Sequence, residues 1–348
     1  MGRWAQELAI PDAITAHTST LGMSSQDLMV SPTILQVNFF ACQFFALLAA
    51  LWFRSYLSPS QVSSGVRHVI ATVLGVCIAI FCCGWYSIHL FVLVMISYGI
   101  MTMVSISNIH RYTFTVAMGY LTMCHITRIY IFGYGIVIAT FCGPLMMATQ
   151  KITTLAFQIR DGRDKKAEEL TKEQNELVLK RKPSLLEYLS YQLNFLTVLA
   201  GPCSNFKDYI AFIEGRHIQM KLLEVNWKQR DCYRLPDPSP VGVVLHKLCI
   251  TLVWLIVFII LTKSFPMTYL VDDQFISEFS FLSKLGFLYL AVQAVKAKHY
   301  FAWTLADAIH NAAGYGFSGV DEKGNFHWDL LTNLNIMNIE MAKVLKCT

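Results

Sequence analysis

The sequence predicts an all-α polytopic membrane protein, and three observations carry that reading. Residues 68–110 run for 43 positions without an Asp, Glu, Lys or Arg, and further uncharged runs fill 28–53, 112–127 and 129–150. Hydrophobic residues make up 55% of the 348 and charged residues 15%, against roughly a quarter charged in soluble domains. The charges that do occur gather in a few loops. About 20 apolar residues, rising about 1.5 Å each, cross the hydrocarbon of a bilayer, so the 68–110 run makes room for two crossings and a turn.

In order along the chain, spans are expected at 34–53, 68–86, 88–107, 112–132, 135–157, 185–203, 243–262, 281–295 and 299–317. Trp52 with Arg54, Trp85 with Tyr86, Arg128 with Tyr130, and Lys263 stand where aromatic and basic anchors meet the interface. Residues 1–33 hold Pro11, Pro32 and many Ser and Thr without the apolar core of a cleaved signal. They are read as a polar N-terminal segment, followed by a membrane domain at 34–343 and a divergent end at 344–348.

Eight Lys and Arg residues lie between Arg160 and Lys182, which places that loop in the cytoplasm. Its Glu and Lys residues interleave, as on a solvated helical loop. The next loop is also basic, with Lys207, Arg216 and Lys221 among its cations. A crossing at 185–203 would put one basic loop on each side. Gly201-Pro202 breaks a helix there, so 185–203 is expected to re-enter the cytoplasmic face, with a full crossing as the alternative.

The ten cysteines are scattered and show no CxxC or other metal-ligand spacing, so they are expected to pack, and no metal is expected. Gly314 to Gly319 spells G-x-G-x-x-G, but an Ala-rich helix precedes it and the polar turn Asp321 to Gly324 follows. A dinucleotide fingerprint needs a strand before and a helix after. His89, His110 and His125, inside or beside apolar runs, read as neutral core histidines.

Trp303, Asp307 and Asn311 recur at helical spacing among alanines. Polar groups on an apolar helix avoid lipid, so this face either lines a substrate chamber or makes interhelical hydrogen bonds.

The segment Ser184 to Gly215, with its Gly201-Pro202 and Tyr209, resembles the membrane-bound O-acyltransferases. Tyr300 to Ile309, Gly314 to Gly319 and Trp328 to Asn333 resemble their lysophospholipid acyltransferase branch, as do Gln36 to Phe39, Phe53-Arg54 and Gly119 to Thr122. The similarity covers about 34–343 and is nearest to the lysophosphatidylserine and lysophosphatidylethanolamine acyltransferase type. It implies a multi-helix bundle in the endoplasmic reticulum that transfers a fatty acyl group from acyl-CoA to the hydroxyl of a lysophospholipid. Acyl-CoA would be a co-substrate, with no cofactor and no nucleic acid. Lys207, Arg216 and Lys221 are candidates for the CoA phosphates.

The family's general base is a His in a Trp-His-Gly element, preceded by an Asn in a Trp-Asn-x-Gln-Thr-like segment. Neither occurs among the 348 residues, and none of the ten histidines matches that position. The resemblance therefore implies a bundle incomplete at its C-terminus, with no catalytic residue assigned here, and a chain inactive alone. The alternative roles are a non-catalytic membrane-binding or regulatory form that meets a full-length acyltransferase and, further off, a transporter.

Overall fold

The computed structural model describes residues 25–130, 139–164, 171–225, 239–266, 279–320, 325–332 and 334–340, together with 269, 270, 272, 275 and 277. Most of the expected 1–33 segment and all of 344–348 lie outside them. The architecture is helical throughout, apart from one two-stranded hairpin.

The apolar runs fold as their hydropathy dictates. Helix α1 (Ser25–Tyr56) covers the first span and begins well ahead of residue 34. The long uncharged run becomes α2 (Ser64–Cys83) and α3 (Ser87–Met103), separated at Gly84–Tyr86 by a 3₁₀ turn. Gly84 makes that break with φ 56°, a conformation that costs a residue with a Cβ. Then come α4 (Ile109–Tyr130) and α5 (Ala139–Arg163), which pack on each other. Among the described residues, three stretches are long and apolar enough to cross a membrane: Asn38–Tyr56, Ser64–Met103 and Val241–Ser264. The chain is a multi-pass membrane protein.

The 185–203 segment departs from a simple span. After the short α6 (Lys172–Leu177), a capping box starts α7 (Leu185–Leu193): Ser184 Oγ accepts from the Glu187 amide, and Glu187 Oε2 accepts from the Ser184 amide. The helix stops after nine residues, about 14 Å, too short to cross as a helix. Its end is set at Asn194, ahead of Gly201-Pro202. The Asn194 side-chain oxygen accepts from both the amide and the hydroxyl of Thr197, at 3.0 and 2.9 Å, and so competes with the helix for backbone partners. An irregular loop at 194–205 follows, then α8 (Phe206–Glu214), which closes on Gly215 at φ 78°, and α9 (His217–Val225).

Helix α10 (Val241–Ser264) matches the expected 243–262 span. It buries little besides Val244 and Thr251, as a lipid-facing helix does. The two short spans expected at 281–295 and 299–317 are one continuous helix, α11 (Phe281–Ala313). The expected break at 296–298 holds no Pro or Gly to end a helix. Instead Ala291, Ala294 and Ala297 form a buried small-residue seam on a helix that packs on α10 and α1.

Helix α11 ends on Gly314 at φ 87°, and the chain continues into β1 (Gly319–Val320), paired antiparallel with β2 (Phe326–His327). The glycine-rich motif is thus a helix terminus feeding a hairpin, as its context suggested. A short helix, α12 (Ile336–Glu340), follows the hairpin.

The core sits around the 185–215 segment. Tyr188, Tyr191, Tyr209 and Tyr315 are among its largest fully buried side chains. Helix α2 comes so close to α7 that a Cβ at Gly75 would overlap the Leu193 carbonyl oxygen.

Candidate functional site

Two buried cations hold the short helices against the membrane bundle. Arg67, on α2, donates to the Phe212 and Ile213 carbonyls at the end of α8, at 3.3 and 2.6 Å. Its guanidinium lies over the rings of Phe53 and Phe212. Lys151, on α5, is 1% exposed. It donates to the Tyr191 carbonyl at 3.2 Å and to the Thr197 hydroxyl. Both cations meet the negative end of a helix, where unpaired carbonyls and the macrodipole favour positive charge.

On the other side of the 194–205 loop stands His310, fully buried on α11. Its Nδ1 lies 2.6 Å from the Ala306 carbonyl. A carbonyl only accepts, so Nδ1 carries the hydrogen, and in the neutral ring Nε2 keeps its lone pair. That Nε2 has no hydrogen-bond partner. Gly201 passes so near the ring that a Cβ there would sit 3.1 Å from His310 Cε1. The Ser204 and Tyr315 hydroxyls adjoin each other without a well-formed hydrogen bond.

A second polar knot lies where α10, α11 and the residues after β2 meet. Lys247 donates to Asp307 Oδ2 at 2.7 Å, to the Trp328 carbonyl at 3.1 Å and to the Thr332 hydroxyl at 3.0 Å. Thr332 donates to the same Asp307 oxygen, and Asn311 donates to the Trp328 carbonyl at 3.3 Å. Asp307 and Asn311 therefore share one neighbourhood. Trp303, though at the same helical spacing, stands apart: it is 38% exposed and its ring contact is with His299.

The three basic candidates sit on α8 and α9. Lys207 is exposed, Arg216 pairs with Glu214, and Lys221 pairs with Asp208 at 3.6 Å. His217 joins this pair of helices to the end of α11 by donating to the Gly314 carbonyl at 2.9 Å. Burial holds its imidazole down at about 4, against the opposing pull of the Gly314 hydrogen bond and with added push from the Arg67 and Lys221 charges. His89 shares a hydrogen bond with Tyr120, and His110 lies against Phe157.

An apolar cavity of about 400 Å³ opens between α1 and α2, lined by Ala41, Cys42, Phe45, Cys77, Ile78 and Phe81. That lining suits a hydrocarbon chain and offers nothing to hold a polar group.

Lys151, Lys247, Arg67 and His310 are the residues sequence reasoning passed over. The signal was present for the first two, which are charges inside expected spans. Their partners are 40 or more residues away and could not be read.

The fold and its buried polar interior define a multi-pass membrane protein with ionisable groups sealed inside a helical bundle. Residues 126–346 match the model of the membrane-bound O-acyltransferase family, and the chain belongs to that family. It is 63% identical over 311 residues to the mouse protein named membrane-bound glycerophospholipid O-acyltransferase 1, covering 89% of this chain and 63% of the relative. It is 48% identical over 334 residues to human membrane-bound glycerophospholipid O-acyltransferase 2, covering 96% and 64%. With lysophospholipid acyltransferase 6 of Drosophila melanogaster the identity is 38% over 316 residues, covering 90% and 44%. The chain thus spans somewhat under two thirds of the length of the mouse and human relatives and under half of the Drosophila one.

Proposed function

We propose that the protein serves acyl-CoA-dependent O-acylation of a lysophospholipid in the endoplasmic reticulum membrane, with lysophosphatidylserine or lysophosphatidylethanolamine as acceptor. Acyl-CoA is the co-substrate and no cofactor takes part. The observation that carries the reading is the sealed polar interior around 194–205, inside the family-matched region, where a transfer between two amphiphiles needs a water-poor chamber. Asp307 and Asn311, in the knot between α10 and α11, are the chamber candidates that stay together, and Trp303 lies outside that knot beside His299. Lys207, Arg216 and Lys221 face the CoA phosphates. No residue of this chain is assigned the base. A full-length family member is the partner to seek by co-purification.

Donor binding tests this without requiring turnover. Microsomes holding the chain are irradiated with a photoreactive acyl-CoA. The expected result is a cross-link to the chain that unlabelled acyl-CoA displaces. A chain that takes up no label above that of an unrelated membrane protein would overturn the reading.

A further inference from the structure

Helix α2 is 20 residues long, about 30 Å, so Ser64 and Cys83 stand at the two faces of a bilayer. Just past Cys83, Trp85 occupies the turn between α2 and α3 and is 94% exposed, as an aromatic anchor at headgroup level is. The cavity between α1 and α2 begins beneath it. Phe81 and Cys77 of its lining precede Trp85 by four and eight residues, or about 6 and 12 Å along a helix axis. That depth is the acyl region of a single leaflet, half of a hydrocarbon layer about 30 Å thick.

Floor and rim differ. Cys42 and Ile78 form a buried floor, whereas Phe45 and Phe81 stand exposed on the rim. Both helices belong to stretches long and apolar enough to cross a membrane, so the groove is continuous with the surface that they turn to lipid. Bilayer covers it, and its occupant is drawn from what a bilayer contains. The volume, about 400 Å³, sets the size of that occupant. A cavity of about 150 Å³ takes one benzene, so this one takes on the order of fifteen carbons, the length of one acyl chain. A sterol fits less well, because its hydroxyl needs a partner. The lining holds no Ser, Thr, Asn, Gln or charged residue, and the Cys42 thiol already donates to the Ile78 carbonyl at 3.9 Å.

We propose that this groove seats one acyl chain of a resident bilayer phospholipid whose head group lies beside Trp85, in the leaflet at the α2–α3 turn. Apolar contact alone holds the chain. The lipid fills the space between α1 and α2, and it is neither donor nor acceptor in the transfer proposed above.

The full chain is reconstituted in phosphatidylcholine vesicles that include a small fraction of phosphatidylcholine with a diazirine midway along one acyl chain, then irradiated and digested for mass spectrometry. Label should fall on Phe45, Cys77 and Phe81 at least fivefold more than on Leu252, Val253 and Ile256, which are comparably exposed on the lipid-facing α10. Ala41→Phe, which puts a ring into the groove, should cut the label at Cys77 and Phe81 at least fivefold and leave that on α10 unchanged, a sign that the variant is folded. If it fails to fold, the wild-type ratio decides. Equal labelling of the groove and α10 is ordinary solvation by the bilayer and overturns the proposal. So does preferential labelling by a diazirine sterol, loss of the groove label on adding long-chain acyl-CoA, or a thiol cross-link between Cys77 of two chains, which give the groove to a sterol, to the donor's tail or to a second copy. Acyl-CoA cross-linking, measured separately, decides the acyltransferase reading in every case.

Discussion

The Lys247 ammonium reaches across from α10 to Asp307 on α11, 2.7 Å away, and the two side chains are only 14% and 11% exposed. Sixty residues of chain separate them, and Thr332 and the Trp328 carbonyl complete the contact. Both charges lie in apolar helices, where each alone would be costly.

The first prediction follows from that pair. Removing one partner of a buried ion pair leaves the other uncompensated, at about 3–5 kcal/mol. Asp307→Asn and Lys247→Met should therefore each lower the thermal midpoint of the detergent-extracted protein, and Lys247→Met with Asp307→Leu should recover much of the loss. If the two single effects simply add in the double variant, the residues are not coupled. If Asp307→Asn leaves stability untouched and weakens only ligand binding, its place is in the chamber wall and not in packing.

His217 should make stability depend on pH. Its folded value, about 4, lies below the ordinary 6.5, so between those limits the unfolded chain binds a proton that the folded chain does not. Its contribution is complete above about pH 6.5 and is lost as pH falls toward 4, by up to about 3 kcal/mol. Thermal midpoints of the wild type and His217→Gln at pH 7.5 and 5.0 should differ in slope, with the variant flatter. Parallel slopes would remove His217 as the source.

Gly75 and Gly99 offer a paired test of helix contact. A Cβ at Gly75 would strike the Leu193 carbonyl, while nothing lies within 4 Å of one at Gly99. Gly75→Ala should destabilise by about 1–3 kcal/mol through overpacking. Gly99→Ala should be neutral or gain up to about 1 kcal/mol of helix propensity. Equal effects in the two would show that α2 and α7 are not in backbone contact.

Sidedness is the fourth prediction. The eight cations between Arg160 and Lys182, together with the short α7, lead us to expect residues 172 and 221 on the cytoplasmic face, with 185–203 re-entrant. Single cysteines at 172 and 221, in a background cleared of reactive thiols, should react with an impermeant reagent from the same side of sealed vesicles. Labelling from opposite sides would restore a crossing.

Much of the helical layout was legible because hydropathy is a local property. The uncharged runs at 28–53 and 68–110 became α1, α2 and α3 with little shift. Where tertiary packing decided, local signals fell short: the break expected between 295 and 299 lies within the continuous α11, and the Asn194 side chain ends α7 before the more conspicuous Gly-Pro. Spacing was enough to bring Asp307 and Asn311 together, but not to show that Trp303 turns outward, because burial depends on what packs against a helix. The partners of Arg67 and Lys247 are set by tertiary structure alone.

The two buried cations impose an order on biosynthesis. Arg67 leaves the ribosome 146 residues before Ile213, and Lys151 emerges 40 residues before Tyr191. Each must wait in or beside the bilayer for a carbonyl not yet made. A nascent chain paused between Arg67 and Ile213 lacks these carbonyls, so until α8 is made the guanidinium takes its hydrogen bonds from water or lipid headgroups. The contact that buries Arg67 is thus made only after a further 146 residues have been polymerised.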